Sequence, residues 1–207
     1  MSAVPSAELR AQFGDIDIYL FDQLLRGRFD GRRRILDAGC GVGRNLPYFA
    51  SRGFEIFAID EDPAAVSAVR KMVAALAPRL PLDNIRQGAL HVLPWSDARM
   101  EAIICSAVLH FARDRTHFER MLYEMWRVLA PRGLFFARLA SSIGIDPPLP
   151  ETVGRVHLPD GSDRFVVDQA YLLDLTYDLR ASLLDPIKTT NVQQQRCMTT
   201  WVVQKNR

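Results

Sequence analysis

The stretch that decides the fold is Arg34-Ile-Leu-Asp-Ala-Gly-Cys-Gly-Val-Gly-Arg-Asn-Leu46. An apolar run ends at Asp37, and three glycines follow at alternate positions, Gly39, Gly41 and Gly43. A strand that leads into a glycine-rich turn and then a helix brings main chain close to a ligand in open α/β sheets. The dinucleotide fingerprint, G-x-G-x-x-G, would need its third glycine at Arg44, so a nicotinamide-dependent oxidoreductase is disfavoured. The motif predicts a nucleotide-like ligand at a strand end.

Length and composition predict one folded domain over residues 1–207, with a full hydrophobic core. Apolar residues make up 48% of the chain and charged residues 24%, which is close to the globular average. The longest apolar runs are too short to span a bilayer, and residues 1–10 lack the pattern of a signal peptide. The three cysteines are too far apart for a disulfide framework or metal cluster: Cys40, Cys105 and Cys197. We therefore expect a cytoplasmic protein with no metal site and no membrane partner.

The net charge of +2 is too small to argue for a polyanionic partner. The one basic run, the arginines at 32–34, stands before the first predicted strand. Since ligands in open α/β sheets bind outside the carboxyl ends of the strands, this run should lie on the opposite face. We interpret it as a solvated face and predict no nucleic-acid partner.

Strand and helix patterns alternate along the central part of the chain. Short apolar runs predict strands at residues 33–37, 54–59, 84–88, 101–106 and 134–139. Helical spacing of apolar residues predicts helices at residues 45–51, 63–77 and 116–129. Such alternation predicts a mostly parallel sheet with helices on both faces and right-handed crossovers.

The two ends of the domain depart from this alternation. Residues 1–31 are expected to form a leading helical segment, a helix or helix pair, after a loose terminus at 1–6. Residues 141–167 are rich in proline and glycine and lack periodicity, which predicts a lid or substrate insertion that carries a small hairpin. A helix capped by Asp168 follows, and the runs at 182–189 and 197–204 are expected to pair antiparallel at the edge of the sheet.

Further motifs follow the glycine turn in a fixed order. Asp60 ends the second strand, Leu-Pro-Trp-Ser-Asp stands at 93–97, Ser-Ala-Val-Leu-His-Phe at 106–111 and Arg-Val-Leu-Ala-Pro-Arg-Gly-Leu at 127–134. Together with D-x-G-x-G-x-G at 37–43, this set resembles the class I S-adenosylmethionine-dependent methyltransferases. The resemblance implies an α/β fold: a Rossmann-like, doubly wound, seven-stranded sheet, mostly parallel, with an antiparallel C-terminal strand. Within that class the sequence looks nearest to small-molecule enzymes of the tellurite-resistance and thiopurine type.

The resemblance implies S-adenosylmethionine as the cofactor and assigns its binding residues by position. The residues around the methionine portion would be Asp37, Gly39, Gly41 and Gly43, and Ser106 is also expected to bind the cofactor. Asp60 would accept hydrogen bonds from the ribose hydroxyls, with Glu61 beside the ribose or adenine; helix capping is the alternative for Asp60. Many members carry an acidic residue after the third strand. Here Ala89 and Leu90 stand there, so adenine contact would rest on main chain and apolar packing.

Two residues are candidates for work on the methyl acceptor. His110 follows the fourth strand and could act as a base or orient the substrate; packing within Leu-His-Phe is the alternative. Arg138 interrupts an apolar strand, where a buried charge needs a partner. It either pairs with an anionic substrate group or a site carboxylate, or ends a fraying strand. Trp95 and Phe111 are expected to line the acceptor pocket, whereas Arg44 is expected on the surface.

The sequence leaves several functions open. A methyltransferase that acts on a small molecule, as a monomer or homodimer, comes first. Methylation of RNA or protein is the other enzymatic alternative. Base N-methylation is disfavoured, because Ser-Ala-Val-Leu at 106–109 replaces Asn-Pro-Pro-Tyr, the family's signature for exocyclic amines. A non-catalytic module that binds S-adenosylmethionine is the third alternative, since it would keep the same glycines and Asp60.

Overall fold

The structure, a computed structural model, describes residues 6–207. The loose terminus expected at residues 1–6 lies outside this range, except for Ser6, where the first helix begins. The helices are α1 (Ser6–Phe13), α2 (Ile18–Leu25), α3 (Pro47–Ser51), α4 (Pro63–Leu76), α5 (Arg115–Val128) and α6 (Gln169–Asp178). The strands are β1 (Arg34–Ala38), β2 (Glu55–Asp60), β3 (Ile85–Gln87), β4 (Met100–Ser106), β5 (Leu129–Ser141), β6 (Gly154–His157), β7 (Asp163–Val166), β8 (Ala181–Leu183), β9 (Lys188–Val192) and β10 (Arg196–Lys205).

The main sheet has the order β3-β2-β1-β4-β5-β10-β8, and β9 pairs with β10 along the same edge as β8. Strands β1 to β5 are parallel, and β10 runs antiparallel to β5, as predicted. The sheet has seven positions across but eight strands, because the expected strand at 182–189 is divided in two. Pro186 lies between β8 and β9 and has no N–H with which to continue the ladder.

Alternation along the central strands gives each face of the sheet its own hydrophobic core. Ile35 packs with α3 and α4 on one face, and Leu36 packs with α5 and α6 on the other. Both side chains are fully buried. A parallel sheet that is covered on both faces explains why its strands read as continuous apolar runs.

In the sequence, Pro131-Arg132-Gly133 predicts a turn between the helix at 116–129 and the strand at 134–139, and the start of β5 differs from this prediction. Leu129 already pairs with Met100, and the register then shifts so that Leu134 pairs with Ala102. The expected turn is therefore a bulge within a longer strand, with Arg132 at φ 62°. At its other end β5 extends to Ser141, because β10 pairs with it that far.

The flanking segments follow the predicted pattern. Gly14, at φ 63°, separates α1 from α2, so the leading segment is a helix pair. The segment at 141–167 carries the antiparallel hairpin β6–β7, and Asp168 caps α6 by accepting a hydrogen bond from the Tyr171 N–H. Among residues 6–207, no helix is long and apolar enough to cross a membrane.

Candidate functional site

A cavity of about 780 Å³ opens at the carboxyl ends of the parallel strands. The glycine turn after β1, the end of β2 and the segment after β4 form one side of it. The hairpin β6–β7 and strands β5 and β10 supply the opposite side. Open α/β sheets bind their ligands at this edge. The predicted site residues on the cavity wall are Gly39, Gly41, Asp60, Glu61, Leu90, Ser106, His110 and Arg138.

The first two glycines of the turn serve different purposes. A Cβ on Gly39, at φ 74°, would stand 2.6 Å from the Val108 side chain, so this glycine allows the turn to pack on the segment after β4. A Cβ on Gly41, at φ 50°, would meet nothing within 4 Å and would point into open space. The absence of a side chain at Gly41 therefore leaves space beside the main chain in which a ligand could approach it.

Asp60 fixes the glycine turn and also faces the cavity. Its Oδ2 accepts a hydrogen bond from the Gly41 N–H at 2.8 Å, and its Oδ1 accepts one from the Asp62 N–H at 3.0 Å. A carboxylate oxygen can accept more than one hydrogen bond. Each oxygen of Asp60 therefore retains acceptor capacity that suits the two hydroxyls of a ribose.

Three of the predicted cofactor-binding residues are not among those that line the cavity: Asp37, Gly43 and Ala89. The Asp37 side chain is buried behind the turn, where loss of hydration raises the pKa of its carboxyl to about 7. Its Oδ2 has no hydrogen-bond partner among the described residues. A Cβ on Gly43 would approach Met72 to 2.9 Å and Val69 to 3.0 Å, so that glycine permits packing on α4.

Asp17 connects the leading helices to the site. The sequence did not indicate this role. Asp17 caps α2, where its Oδ1 accepts a hydrogen bond from the Tyr19 N–H at 2.9 Å. Its Oδ2 accepts one from Ser106 Oγ at 2.9 Å, and its own N–H donates to Asn45 Oδ1 at 3.0 Å. An N-cap is readable from sequence, but a partner 89 residues away is not.

Two arginines share the buried Asp17 carboxylate. Arg44 Nη2 lies 3.4 Å from Asp17 Oδ2 and donates to Ser106 Oγ at 2.9 Å. Arg44 is exposed, as expected, but its guanidinium is turned toward the cavity instead of away from it. Arg138 Nη1 also lies 3.4 Å from Asp17 Oδ2, and its guanidinium stands 5.0 Å from the Tyr19 ring centre. The Arg138 Nε is buried without a partner among the described residues.

His110 is buried in a 3₁₀ turn after β4 and reaches the cavity. Its Nδ1 accepts a hydrogen bond from the Ala140 N–H at 3.2 Å, which places the proton of the neutral ring on Nε2. Burial, together with the positive charges of Arg164, Arg138 and Arg196, lowers the pKa of His110 to about 4. At neutral pH the ring is uncharged and can donate one hydrogen bond from Nε2.

The prediction for Trp95 is wrong, whereas Phe111 lies on the cavity wall. Trp95 packs edge-on against Phe57, with ring centres 5.7 Å apart, because its segment turns back over the core. Arg127 holds that segment by donating to the Trp95 carbonyl at 2.8 Å and to Asp97 at 2.8 Å. The motifs at 93–97 and 127–134 are therefore structural partners of each other.

The side of the cavity formed by the hairpin and strands β5 and β10, called the acceptor side below, contains residues that the sequence did not single out. The hairpin supplies Leu158 and Arg164, and the start of β10 supplies Arg196 and Met198. Met198 pairs with Ala140 on β5, beside His110. These four residues were not predicted, because two come from the segment with the least periodicity of apolar residues and two come from the far end of the chain.

A doubly wound sheet with an antiparallel β10 and a cofactor-sized site over a glycine turn defines the Rossmann-like methyltransferase fold. Residues 36–137, about half of the chain, match the family model described as a methyltransferase domain. A probable S-adenosylmethionine-dependent methyltransferase of Mycolicibacterium smegmatis is 33% identical over 121 residues, which are 56% of this chain and 43% of that protein.

Solved structures share the fold at low sequence identity. Burkholderia thailandensis 1,6-didemethyltoxoflavin-N1-methyltransferase, with 1,6-didemethyltoxoflavin and S-adenosylhomocysteine bound, has a TM-score of 0.65 at 17% identity. That match covers 100% of this chain and 92% of the other. The cyclase SpnF has a TM-score of 0.68 at 17% identity, and the match covers 91% of this chain and 81% of that one.

The matched region, residues 36–137, and these relatives support a class I S-adenosylmethionine-dependent methyltransferase domain in this chain. S-adenosylmethionine is the cofactor of that class. The open space over Gly41 and the free acceptor capacity of Asp60 fit it. The chain spans about half the length of the curated relatives it matches.

Proposed function

We propose that this protein transfers the methyl group of S-adenosylmethionine to a small-molecule acceptor. The observation that carries the proposal is one continuous cavity of about 780 Å³, which is lined by the glycine turn, Asp60, His110 and Arg164. Sites for one drug-sized ligand measure roughly 300–1,000 Å³, and this cavity is toward the upper end of that range. A cofactor and a small acceptor can therefore lie side by side in it.

The cofactor's sulfonium supplies an already activated methyl group, so the chain's own residues have to bind, orient and exclude water. Asp60 and the main chain of Gly41 would hold the nucleoside end. Ser106, fixed by Asp17 and Arg44, would border the methionine end. His110 would orient the acceptor by donating from Nε2. Acting as a general base is a poorer role for it, since Nδ1 already accepts a hydrogen bond and the ring pKa is lowered.

Two observations favour a small molecule as the methyl acceptor. The resemblance of the sequence to small-molecule enzymes of the tellurite-resistance and thiopurine type supports it. The hairpin at 154–166 also supports it, since it contributes Leu158 and Arg164 to the wall of a cavity sized for small molecules. We propose that residues 141–167 act as a lid over the acceptor. RNA or protein substrates remain the alternative.

Calorimetric titration tests the cofactor assignment. S-adenosylmethionine and S-adenosylhomocysteine should bind the full chain with one-to-one stoichiometry, whereas NAD should not bind. Asp60→Ala should weaken S-adenosylhomocysteine binding by about 1–3 kcal/mol, because the ribose hydroxyls lose their acceptor. Asp60→Asn, which keeps the shape and one acceptor oxygen, should lose less. Binding of NAD in preference to the sulfonium, or wild-type affinity in Asp60→Ala, would contradict the assignment.

A separate assay distinguishes an enzyme from a non-catalytic binding module. Methyl transfer from labelled S-adenosylmethionine should be screened across thiol, amine, hydroxyl and metalloid acceptors. Turnover of a small acceptor supports the proposal. Binding of the cofactor with no turnover in the whole screen, or turnover of RNA or protein alone, would favour the corresponding alternative.

A further inference from the structure

The acceptor side of the cavity has an excess of positive charge. Four guanidinium groups line the cavity: those of Arg138, Arg164 and Arg196 on this side, and that of Arg44 beside the glycine turn. Two carboxylates pair with them among the described residues: Asp17 with Arg44 and Arg138, and Asp160 with Arg196. Asp60 and Glu61 lie across the cavity, at the end of β2. A cavity wall with more cations than carboxylates favours an anionic ligand.

Arg164 is the least compensated of the four. It has no carboxylate within ion-pair distance in the part of the chain that the structure describes. Its Nη1 donates to the Asp163 carbonyl at 2.8 Å, and its guanidinium stands 4.8 Å from the centre of the Phe111 ring, which also lines the cavity. Stacking on an aromatic ring fixes the plane of a guanidinium while its remaining N–H donors stay available.

Arg196 is held on the same wall by an acid whose oxygens are already engaged. Asp160 Oδ1 accepts hydrogen bonds from the Ser162 N–H at 3.0 Å and Ser162 Oγ at 2.6 Å. Its Oδ2 lies 3.4 Å from Arg196 Nη1. A guanidinium has five N–H donors, so this single contact leaves Arg196 able to bind a second oxygen anion. The neighbouring wall is apolar, with Leu158 and Met198.

We propose that Arg164 and Arg196 bind a carboxylate of the methyl acceptor, on an otherwise apolar molecule. This inference rests on the proposed methyl transfer and specifies its substrate class. A planar fork of N–H donors matches the geometry of a carboxylate. The apolar neighbours would cover the rest of the acceptor, and one uncompensated charge at Arg164 matches one negative charge on the ligand.

The bound carboxylate is an anchor and does not itself receive the methyl group. If a carboxylate attacked the sulfonium methyl, its O–CH₃ bond would form as the S–CH₃ bond broke, so both charges would diminish in the transition state and disappear in the products, an ester and a thioether. Arginines that stabilise the anion would then bind the ground state more tightly than the transition state and slow the reaction. A second nucleophile on the same molecule, directed to the Ser106–His110 side by the anchor, avoids this penalty.

Ligand-observed NMR on the full chain tests the anchor. The panel consists of aromatic and aliphatic monocarboxylates, each with its primary amide as a matched neutral control, and inorganic phosphate. It is measured on the free protein and on protein saturated with S-adenosylhomocysteine. Carboxylates should bind at least about tenfold more tightly than their amides, a difference of about 1.4 kcal/mol.

Arginine variants then assign the preference to this wall. Arg164→Gln should abolish most of the preference for carboxylates, and Arg164→Lys, which keeps the charge without the planar fork, should retain part of it. Arg120→Gln removes an exposed charge on α5 outside the cavity and should leave the preference unchanged.

Each remaining outcome overturns the proposal. These are equal binding of acids and amides, no carboxylate binding in either state, an undiminished preference in Arg164→Gln, and preference for phosphate over every carboxylate. Failure of the proposed function is distinguishable, because it appears as absence of S-adenosylhomocysteine binding in the calorimetric titration or as absence of turnover in the methyl-transfer screen, whatever the panel does.

Discussion

Ser106 Oγ donates a hydrogen bond to Asp17 Oδ2 at 2.9 Å, which joins the carboxyl end of β4 to the cap of α2. The Asp17 side chain is only 2% exposed. Because the same carboxylate caps a helix and faces Arg44 and Arg138, the leading helices are part of the site's architecture.

Replacement of Asp17 should therefore cost more stability than the loss of a helix cap. Asp17→Ala should lower the free energy of unfolding by about 2–3 kcal/mol, of which the cap is about 1 kcal/mol and the Ser106 hydrogen bond and ion pairs are the rest. Asp17→Asn keeps the cap and should lose about half as much. Urea denaturation measures both.

Asp114→Ala is the matched control, because Asp114 caps α5 by accepting a hydrogen bond from the His117 N–H at 2.7 Å and is exposed. Its loss should be about 1 kcal/mol. If Asp17→Ala and Asp114→Ala lost the same amount, the contacts of Asp17 with Ser106 and the arginines would contribute nothing measurable.

Alanine at the first two glycines of the turn should separate folding from binding. Both positions have positive φ, which costs an alanine roughly 1–2 kcal/mol. At Gly39 the added Cβ also clashes with Val108, so Gly39→Ala should lose stability beyond that amount. At Gly41 the Cβ occupies open cavity, so Gly41→Ala should fold and lose affinity for S-adenosylhomocysteine.

Thermal unfolding and calorimetry on the two variants measure these effects. The expected order is a lower Tm for Gly39→Ala than for Gly41→Ala, together with at least about tenfold weaker binding in Gly41→Ala, or 1.4 kcal/mol. Wild-type affinity in Gly41→Ala would mean that the ligand does not approach this main chain.

The contrast between these glycines and Arg164 explains what the sequence could predict. The glycines, Asp60 and the alternation of strands are local patterns, and local patterns determined the central fold and the cofactor side. Arg164 and Arg196 reach the same cavity through pairing of β6 with β7 and of β10 with β5, which depends on partners far along the chain. The amino-acid sequence around these two arginines does not differ from that of an ordinary exposed hairpin.

Asp17 and Trp95 also show that long-range side-chain contacts cannot be predicted from the sequence. Asp17 stands in a recognisable N-cap, but its role at the site depends on Ser106, 89 residues later. Trp95 belongs to a motif placed correctly in order, but its ring turns onto Phe57 because Arg127 holds the loop over the core. Order along the chain predicts which edge of the sheet a segment reaches, and packing decides which way a side chain points.

Asp37 should make the protein less stable as the pH rises toward 7. Burial raises the pKa of its carboxyl to about 7 from an unfolded value near 3.8, so the folded state holds a proton that the unfolded state has released. This contribution is fully present below about pH 4 and is lost as the pH rises through 7. Between pH 5 and pH 8 the wild type should lose about 2–3 kcal/mol relative to Asp37→Asn, which cannot ionise.

Denaturation of both proteins at several pH values in that range measures the difference. Because every other titrating group is common to the two proteins, subtraction isolates Asp37. Parallel stability curves would show that the carboxyl titrates in the folded protein as it does in the unfolded chain.

His110 should act in the opposite sense over a lower pH range. Burial, together with the positive charges of Arg164, Arg138 and Arg196, lowers the pKa of the ring from 6.5 to about 4. Between those values the unfolded chain binds a proton that the folded protein excludes, so stability falls as the pH falls. From pH 7.5 to pH 4.5 the wild type should lose about 2–3 kcal/mol more than His110→Asn, which can still accept the Ala140 hydrogen bond. NMR titration of the ring measures the pKa directly, and a value near 6.5 in the folded protein would contradict both the buried neutral ring and its role as a donor from Nε2.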